Sequence, residues 1–213
     1  MKRNSAILFA AIVLTCTSLA AAAADEKPVI PDDRFVYCTV CHGVQVGGNA
    51  NLGAPRISGL SAWYVEQQLT AFSRGWRGTH EDDRGGQEMR PMAAVLTPAE
   101  IERAARYVDA VESPPAEVTL DGDARHGEIL YGSCAACHGV RAEGNAALGS
   151  PPLAGLNDWY LLTQLEHFKS GIRGTSPDDT FGQQMQAAVT VLNDEQAMQD
   201  VVRYITTLGN DER

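Results

Sequence analysis

The chain is written twice. At a constant offset of 96 residues, Gly43 returns as Gly139, Gly48-Asn49 as Gly144-Asn145, Leu52-Gly53 as Leu148-Gly149 and Pro55 as Pro151. Trp63-Tyr64 returns as Trp159-Tyr160, Gln68-Leu69 as Gln164-Leu165, Phe72 as Phe168, Arg77-Gly78-Thr79 as Arg173-Gly174-Thr175, and Gly86-Gln87 as Gly182-Gln183. A register held this long by residues of such different chemistry restricts the fold to two homologous units in tandem.

Inside the repeat stand two C-x-x-C-H pentads, Cys38-Thr39-Val40-Cys41-His42 and Cys134-Ala135-Ala136-Cys137-His138. Two thiols at this spacing suit two thioether bonds to the vinyl groups of haem c, and the adjoining histidine reaches the iron from the same turn. A chance match, a dithiol redox site or a Cys/His zinc site are the competing interpretations of one copy. Two copies in register favour two covalently attached haems, held by Cys38 and Cys41 and by Cys134 and Cys137.

Residues 1–24 run from Met1-Lys2-Arg3 through an apolar stretch to the small residues Ala20 to Ala24, the pattern of a signal peptide cut near Ala24. Export to the periplasm is expected, with peripheral membrane association left open. Loss of Lys2 and Arg3 leaves 15 basic against 27 acidic side chains, a formal charge of −12. That balance argues against a nucleic-acid partner and favours a basic or locally basic redox protein. The four remaining cysteines are all in the pentads, so no structural disulfide is expected.

The prolines of Glu112-Ser113-Pro114-Pro115 interrupt the apolar periodicity. The expected division is an N-terminal domain over 25–111, a linker over 112–120 and a C-terminal domain over 121–213. Units of roughly 90 residues have small cores, so the haem should supply much of each apolar centre. The legible elements are all helical. Helices are predicted over 123–131, 62–73 and 158–169, the last two capped by Ser61 and Asn157, and over 98–111 and 194–207. Gly127 weakens the first of these, and the glycine-rich stretches between helices read as loops around the haem edges.

His42 and His138 are the expected fifth iron ligands. Met89 and Met185 each lie 47 residues after their histidine and are the sixth-ligand candidates on the distal loops, since a thioether suits low-spin iron that changes oxidation state without admitting substrate. Met92 competes with Met89, but its counterpart is Ala188. Pro55 and Pro151 are placed to offer a carbonyl to the histidine N–H. Arg77 and Arg173 are candidates for the haem propionates, and Trp63, Tyr64, Trp159 and Tyr160 for packing on the macrocycle, with ordinary core or surface roles as the alternative for each.

On its pentads with their following glycines, its Trp-Tyr segments and its Met-to-Leu stretches ending at Leu96 and Leu192, the chain resembles the cytochrome c4 family over residues 32–208. The resemblance implies an all-α protein of two tandem class I cytochrome c domains, each wrapped around one covalent haem c, related by a pseudo-twofold axis with propionate edges facing one another. It also implies axial Met89 and Met185 and periplasmic electron transfer, often toward a terminal oxidase. Two departures stand out: a short lead before Cys38, and one extra residue between Leu192 and Tyr204 relative to Leu96 and Tyr107.

The function these features imply is outer-sphere one-electron transfer between a donor, such as a quinol-oxidising complex or dehydrogenase, and a terminal oxidase or reductase. The alternatives are a di-haem oxidoreductase of peroxidase-like or thiosulfate-oxidising type, and a fixed electron-transfer subunit of a larger complex.

Overall fold

The computed structural model describes residues 35–208; the expected signal peptide over 1–24 and the lead to Arg34 lie outside them. The described residues form eight α-helices: α1 Val36–His42, α2 Ala62–Ser73, α3 Arg84–Ala94, α4 Pro98–Ala110, α5 Ala124–His138, α6 Asp158–Ser170, α7 Thr180–Ala188 and α8 Glu195–Leu208. Strands are absent among them, apart from the isolated bridges Asn49–Ala54 and Asn145–Ser150, themselves a repeat pair. None of these helices is long and apolar enough to cross a membrane.

The first four helices and the last four are two copies of one arrangement. In each, the helix ending in the pentad histidine meets the last helix of its unit through an aromatic pair. Phe35 stacks on Tyr107 with centroids 6.2 Å apart, and Tyr131 tilts against Tyr204 at 5.4 Å. Tyr131 also donates from its hydroxyl to the Gly139 carbonyl at 2.8 Å, a bond Phe35 cannot make.

Helix α5 packs along α8, and Gly127 faces its partner's backbone: a Cβ built there would stand 1.9 Å from the Asp200 carbonyl oxygen. The glycine that weakened the helical signal is the residue that lets the two helices touch, and α5 continues through the whole pentad rather than stopping at 131. Helix α4 begins with a capping box, Thr97 receiving the Glu100 N–H while Glu100 receives that of Thr97. Asp194 accepts from the Ala197 N–H at 2.8 Å and starts α8.

Helices α2 and α6 begin where the sequence places them, but neither Ser61 nor Asn157 caps through its side chain. Asn157 Oδ1 is taken instead by the Arg56 N–H at 2.6 Å, tying the second unit to the first. Asp158, 1 % exposed, accepts from the N–H and hydroxyl of Thr119 and from the N–H of Leu120 and Trp159. These bonds fasten the irregular segment between α4 and α5 to the start of α6.

Helices α3 and α7 replace what the sequence suggested were glycine-rich loops. Asp83 and Asp179 cap them by accepting the N–H of Gly86 and Gly182 at 3.0 and 2.9 Å. An aspartate three residues ahead of a glycine satisfies an otherwise orphaned donor, which outweighs the glycine's poor helical propensity.

Candidate functional site

Each pentad forms the C-terminal end of a helix, which puts the first cysteine one turn before the adjacent second cysteine and histidine on a single rigid element. Cys38 and Cys134 are half-buried, Cys41 and Cys137 exposed. Burial pushes the Cys38 and Cys134 thiols up, away from the lowered value typical of a dithiol redox site. Among the described residues, no three His, Cys, Asp or Glu side chains gather to hold a metal ion.

After the histidine the chain reverses at Gly43 and Gly139, whose φ values of 82° and 83° lie in the region that favours glycine. Three residues later Val46 and Ala142, both fully buried, also take positive φ, 45° and 57°. A β-branched residue seldom adopts this conformation, and the duplicated strain, on the order of 1–3 kcal/mol, is held by a specific result. The Val46 carbonyl accepts the N–H of both Ile57 and Ser58, and the Ala142 carbonyl those of Leu153 and Ala154. The turn is thereby stapled to the segment carrying the proline.

That staple presents the Pro55 carbonyl to His42 Nδ1 at 2.7 Å and the Pro151 carbonyl to His138 Nδ1 at 2.9 Å. A carbonyl only accepts, so Nδ1 carries the hydrogen and the lone pair is on Nε2, free to bind a metal. Burial lowers the pKa of both imidazoles against the opposing pull of the carbonyls, so they stay neutral.

In the second unit His138 shares the wall of a cavity of about 420 Å³ with Cys134, Cys137, Pro151 and Met185. Leu153, Leu156, Leu161, Leu165, Phe168, Val189 and Leu192 supply an apolar lining. His138 and Met185, 47 residues apart in sequence, thus line one largely apolar chamber. In the first unit His42 is 6 % exposed and Met89 half-buried, whereas Met92 is 46 % exposed. Both Met89 and Met185 stand on helices, α3 and α7, not on loops.

The wall of the second cavity is not built by the second unit alone. Pro55, Arg56, Ile57, Leu60, Tyr64, Gln67 and Gln68 of the first unit line it as well, together with Tyr160. Tyr64 and Tyr160 thus reach the cavity, each with its neighbouring tryptophan edge-on at 5.7 and 6.1 Å. Trp159 lines a separate groove formed by the linker and the turn after the first pentad.

At the junction of the units lies a quartet that sequence reasoning did not assemble. Arg77 donates to Gln68 at 2.7 Å and across the boundary to Gln164 at 3.1 Å; Arg173 donates to Gln164 at 2.7 Å and across to Gln68 at 2.8 Å. Each guanidinium also lies over the phenylalanine of its own unit, Phe72 at 4.3 Å and Phe168 at 4.5 Å. Exchanging the units reproduces the pattern, which is the pseudo-twofold relation in atomic detail. One asymmetric contact crosses beside it: His167 Nδ1, with no histidine counterpart, is 3.7 Å from Asp83.

The Nε atoms of Arg77 and Arg173 are buried and have no hydrogen-bond partner. Orphaned cationic donors are costly, and an anionic group such as a propionate would satisfy them. Covalent haem therefore fits the residues on four grounds: paired cysteines, oriented imidazoles, an apolar chamber and unsatisfied arginine donors beside it.

Comparison with known proteins gives the same result. The Cytochrome c family model matches residues 35–112 and again 124–209. The thiosulfate dehydrogenase electron acceptor of Stutzerimonas stutzeri (strain A1501) is 29% identical over 218 residues, covering 95% of each chain. A cytochrome c4 structure from Acidithiobacillus ferrooxidans matches with a TM-score of 0.64 and 27% identity over 80% of this chain and 98% of that one. The thiosulfate dehydrogenase TsdBA of Marichromatium purpuratum matches with a TM-score of 0.65 and 31% identity over 83% of this chain, although over only 38% of that one. With two family matches, two pentads and two copies of one haem-binding fold, this chain belongs to the cytochrome c family, as a di-haem electron-transfer protein of the cytochrome c4 type.

Proposed function

We propose that the chain is a periplasmic electron carrier, not an enzyme, that accepts electrons from a quinol-oxidising complex or a dehydrogenase and delivers them to a terminal oxidase or reductase. The observation that carries this reading is the meeting of His138 and Met185 in one apolar chamber, repeated in sequence by His42 and Met89. Two protein ligands on each iron leave no position for a substrate. When bound, each haem supplies one reversible one-electron couple.

The residues have distinct tasks in this scheme. The cysteines fix the macrocycle on a helix, and the Pro55 and Pro151 carbonyls hold the imidazole planes. Met89 and Met185, fixed on capped helices, keep their thioethers in place in both oxidation states and so limit reorganisation. Arg77 and Arg173 offer their free Nε–H to propionates while their terminal nitrogens lock the two units together. The wall shared by both units supports electron exchange within the chain.

The names of two relatives support one narrower version, in which the donor is a thiosulfate dehydrogenase. Spectroelectrochemical titration of the haem-loaded protein with and without azide tests the carrier reading. Two reversible low-spin couples indifferent to azide are expected, and a high-spin or azide-binding iron would overturn it in favour of a di-haem oxidoreductase.

A further inference from the structure

Two glycines that occupy equivalent positions in the repeat have different surroundings. Gly53 and Gly149 close the short turn before the proline with nearly the same φ, +63° and +65°. Nothing lies within 4 Å of a Cβ built on Gly53, which is exposed. On Gly149, which is buried, the same Cβ would meet three ring carbons of Phe181 at 2.3–2.7 Å. The residue that stands at the Phe181 position in the first unit is Gly85, whose built Cβ reaches nothing nearer than the Gly53 carbonyl oxygen at 4.0 Å.

Phe181 is the second residue of α7, and Asp179 fixes the start of that helix. Its ring lines the cavity that holds Cys137, His138 and Met185, yet the residue is 42% exposed. The ring thus stands between the Gly149 turn and the chamber. Met92 against Ala188, another unequal pair on these helices, lies seven residues further along, about two turns from Phe181 and Gly85.

We propose that Phe181 is the cover of the second haem crevice, a positioning residue that makes two sites with the same ligand set unequal in solvent access and therefore in reduction potential. The inference rests on the carrier reading above. The oxidised haem carries one more positive charge than the reduced one, and shielding from water penalises the more charged state. The cover thus raises the potential of the second haem, and the uncovered Gly85 position leaves the first haem lower than an equal cover would. The same ring holds a partner's cofactor further from the second macrocycle, so the first haem has the more accessible edge.

The test is a spectroelectrochemical titration of the holoprotein and its variants, with the two haems assigned by their paramagnetically shifted haem-methyl resonances. Phe181→Ala is expected to move the second-haem wave to lower potential and leave the first in place. Phe181→Leu, which keeps an apolar cover, should stay closer to the parent protein. Gly85→Phe, at a position where a Cβ meets nothing nearer than 4.0 Å, should raise the first-haem wave alone. Failure of Phe181→Ala to move the second wave, equal movement of both waves, or a Leu variant shifted as far as the Ala variant would overturn the inference. Should Phe181→Ala fail to retain its haem, Gly85→Phe decides the matter by itself. A high-spin or azide-binding iron in the parent protein defeats the carrier reading, whereas low-spin haems with unmoved waves defeat only the cover.

Discussion

Arg77 and Gln164 come from different halves of the chain, 87 residues apart, and are hydrogen-bonded at 3.1 Å. Gln164 Oε1 at the same time receives Arg173 of its own half at 2.7 Å, so one amide oxygen serves two buried guanidinium groups. Truncating it strands two charged donors at once. Gln164→Ala is expected to cost about 2–3 kcal/mol, and Gln68→Ala a similar amount. Calorimetry of the holoprotein checks this: the single mutants should lower the transition temperature, and the double mutant should let the two halves unfold in separate transitions.

Asp158 is the anchor of the linker, and its counterpart in the first half is Ala62. Burial works to raise its carboxyl, but the donors from Thr119, Leu120 and Trp159 outweigh that and hold it below the ordinary aspartate range. A depressed folded value means that the stabilisation is complete above the unfolded pKa of about 3.9 and is lost as pH falls through the folded value. Asp158→Asn should therefore cost about 2 kcal/mol at neutral pH and show a flatter loss of stability on acidification. Acid titration followed by circular dichroism measures both, and limited proteolysis between 113 and 121 should accelerate in the variant.

The methionines divide by position. Met185→Ala and Met89→Ala should each convert one of the two haems to a high-spin or azide-binding form and lower its reduction potential, leaving the other unchanged. Met92→Ala, at a half-exposed site, should leave both low-spin spectra intact. Optical spectra with and without azide distinguish these outcomes. A Met92 variant that loses a low-spin haem would reassign the first sixth ligand.

Gly127 is fixed by packing. Alanine there would drive its methyl into the Asp200 carbonyl and toward Tyr204, separating α5 from α8. Gly127→Ala should destabilise by about 1–3 kcal/mol despite alanine's better helical propensity, a sign that denaturant unfolding of the holoprotein reads directly.

The contrast at Gly127 shows what the sequence could and could not convey. The pentads and the offset of 96 residues carry the cofactor and the duplication because covalent chemistry requires fixed residue types at fixed spacing. Helices with an apolar stripe, such as α2, α4 and α8, were legible from their periodicity. Helices α3 and α7 were missed because their apolar signal is broken by Gly85, Gly86 and Gly182, and the aspartate caps that start them were the overlooked cue. Ser61 and Asn157 looked like caps because local composition does not record that Asn157 is already engaged by Arg56. The quartet was beyond reach for a similar reason: Arg77, Gln68 and their counterparts are conspicuous as repeats, but nothing local says that each arginine crosses to the other copy's glutamine.

Leu60, Tyr64 and Gln68 form part of the wall of the second chamber, although they belong to the first copy. The C-terminal half cut away at the linker would keep Cys134, Cys137, His138 and Met185 and yet lack one side of the housing. The second chamber is therefore complete only when the first half is packed against it, and its enclosure depends on the junction made by Arg77, Gln68, Arg173 and Gln164.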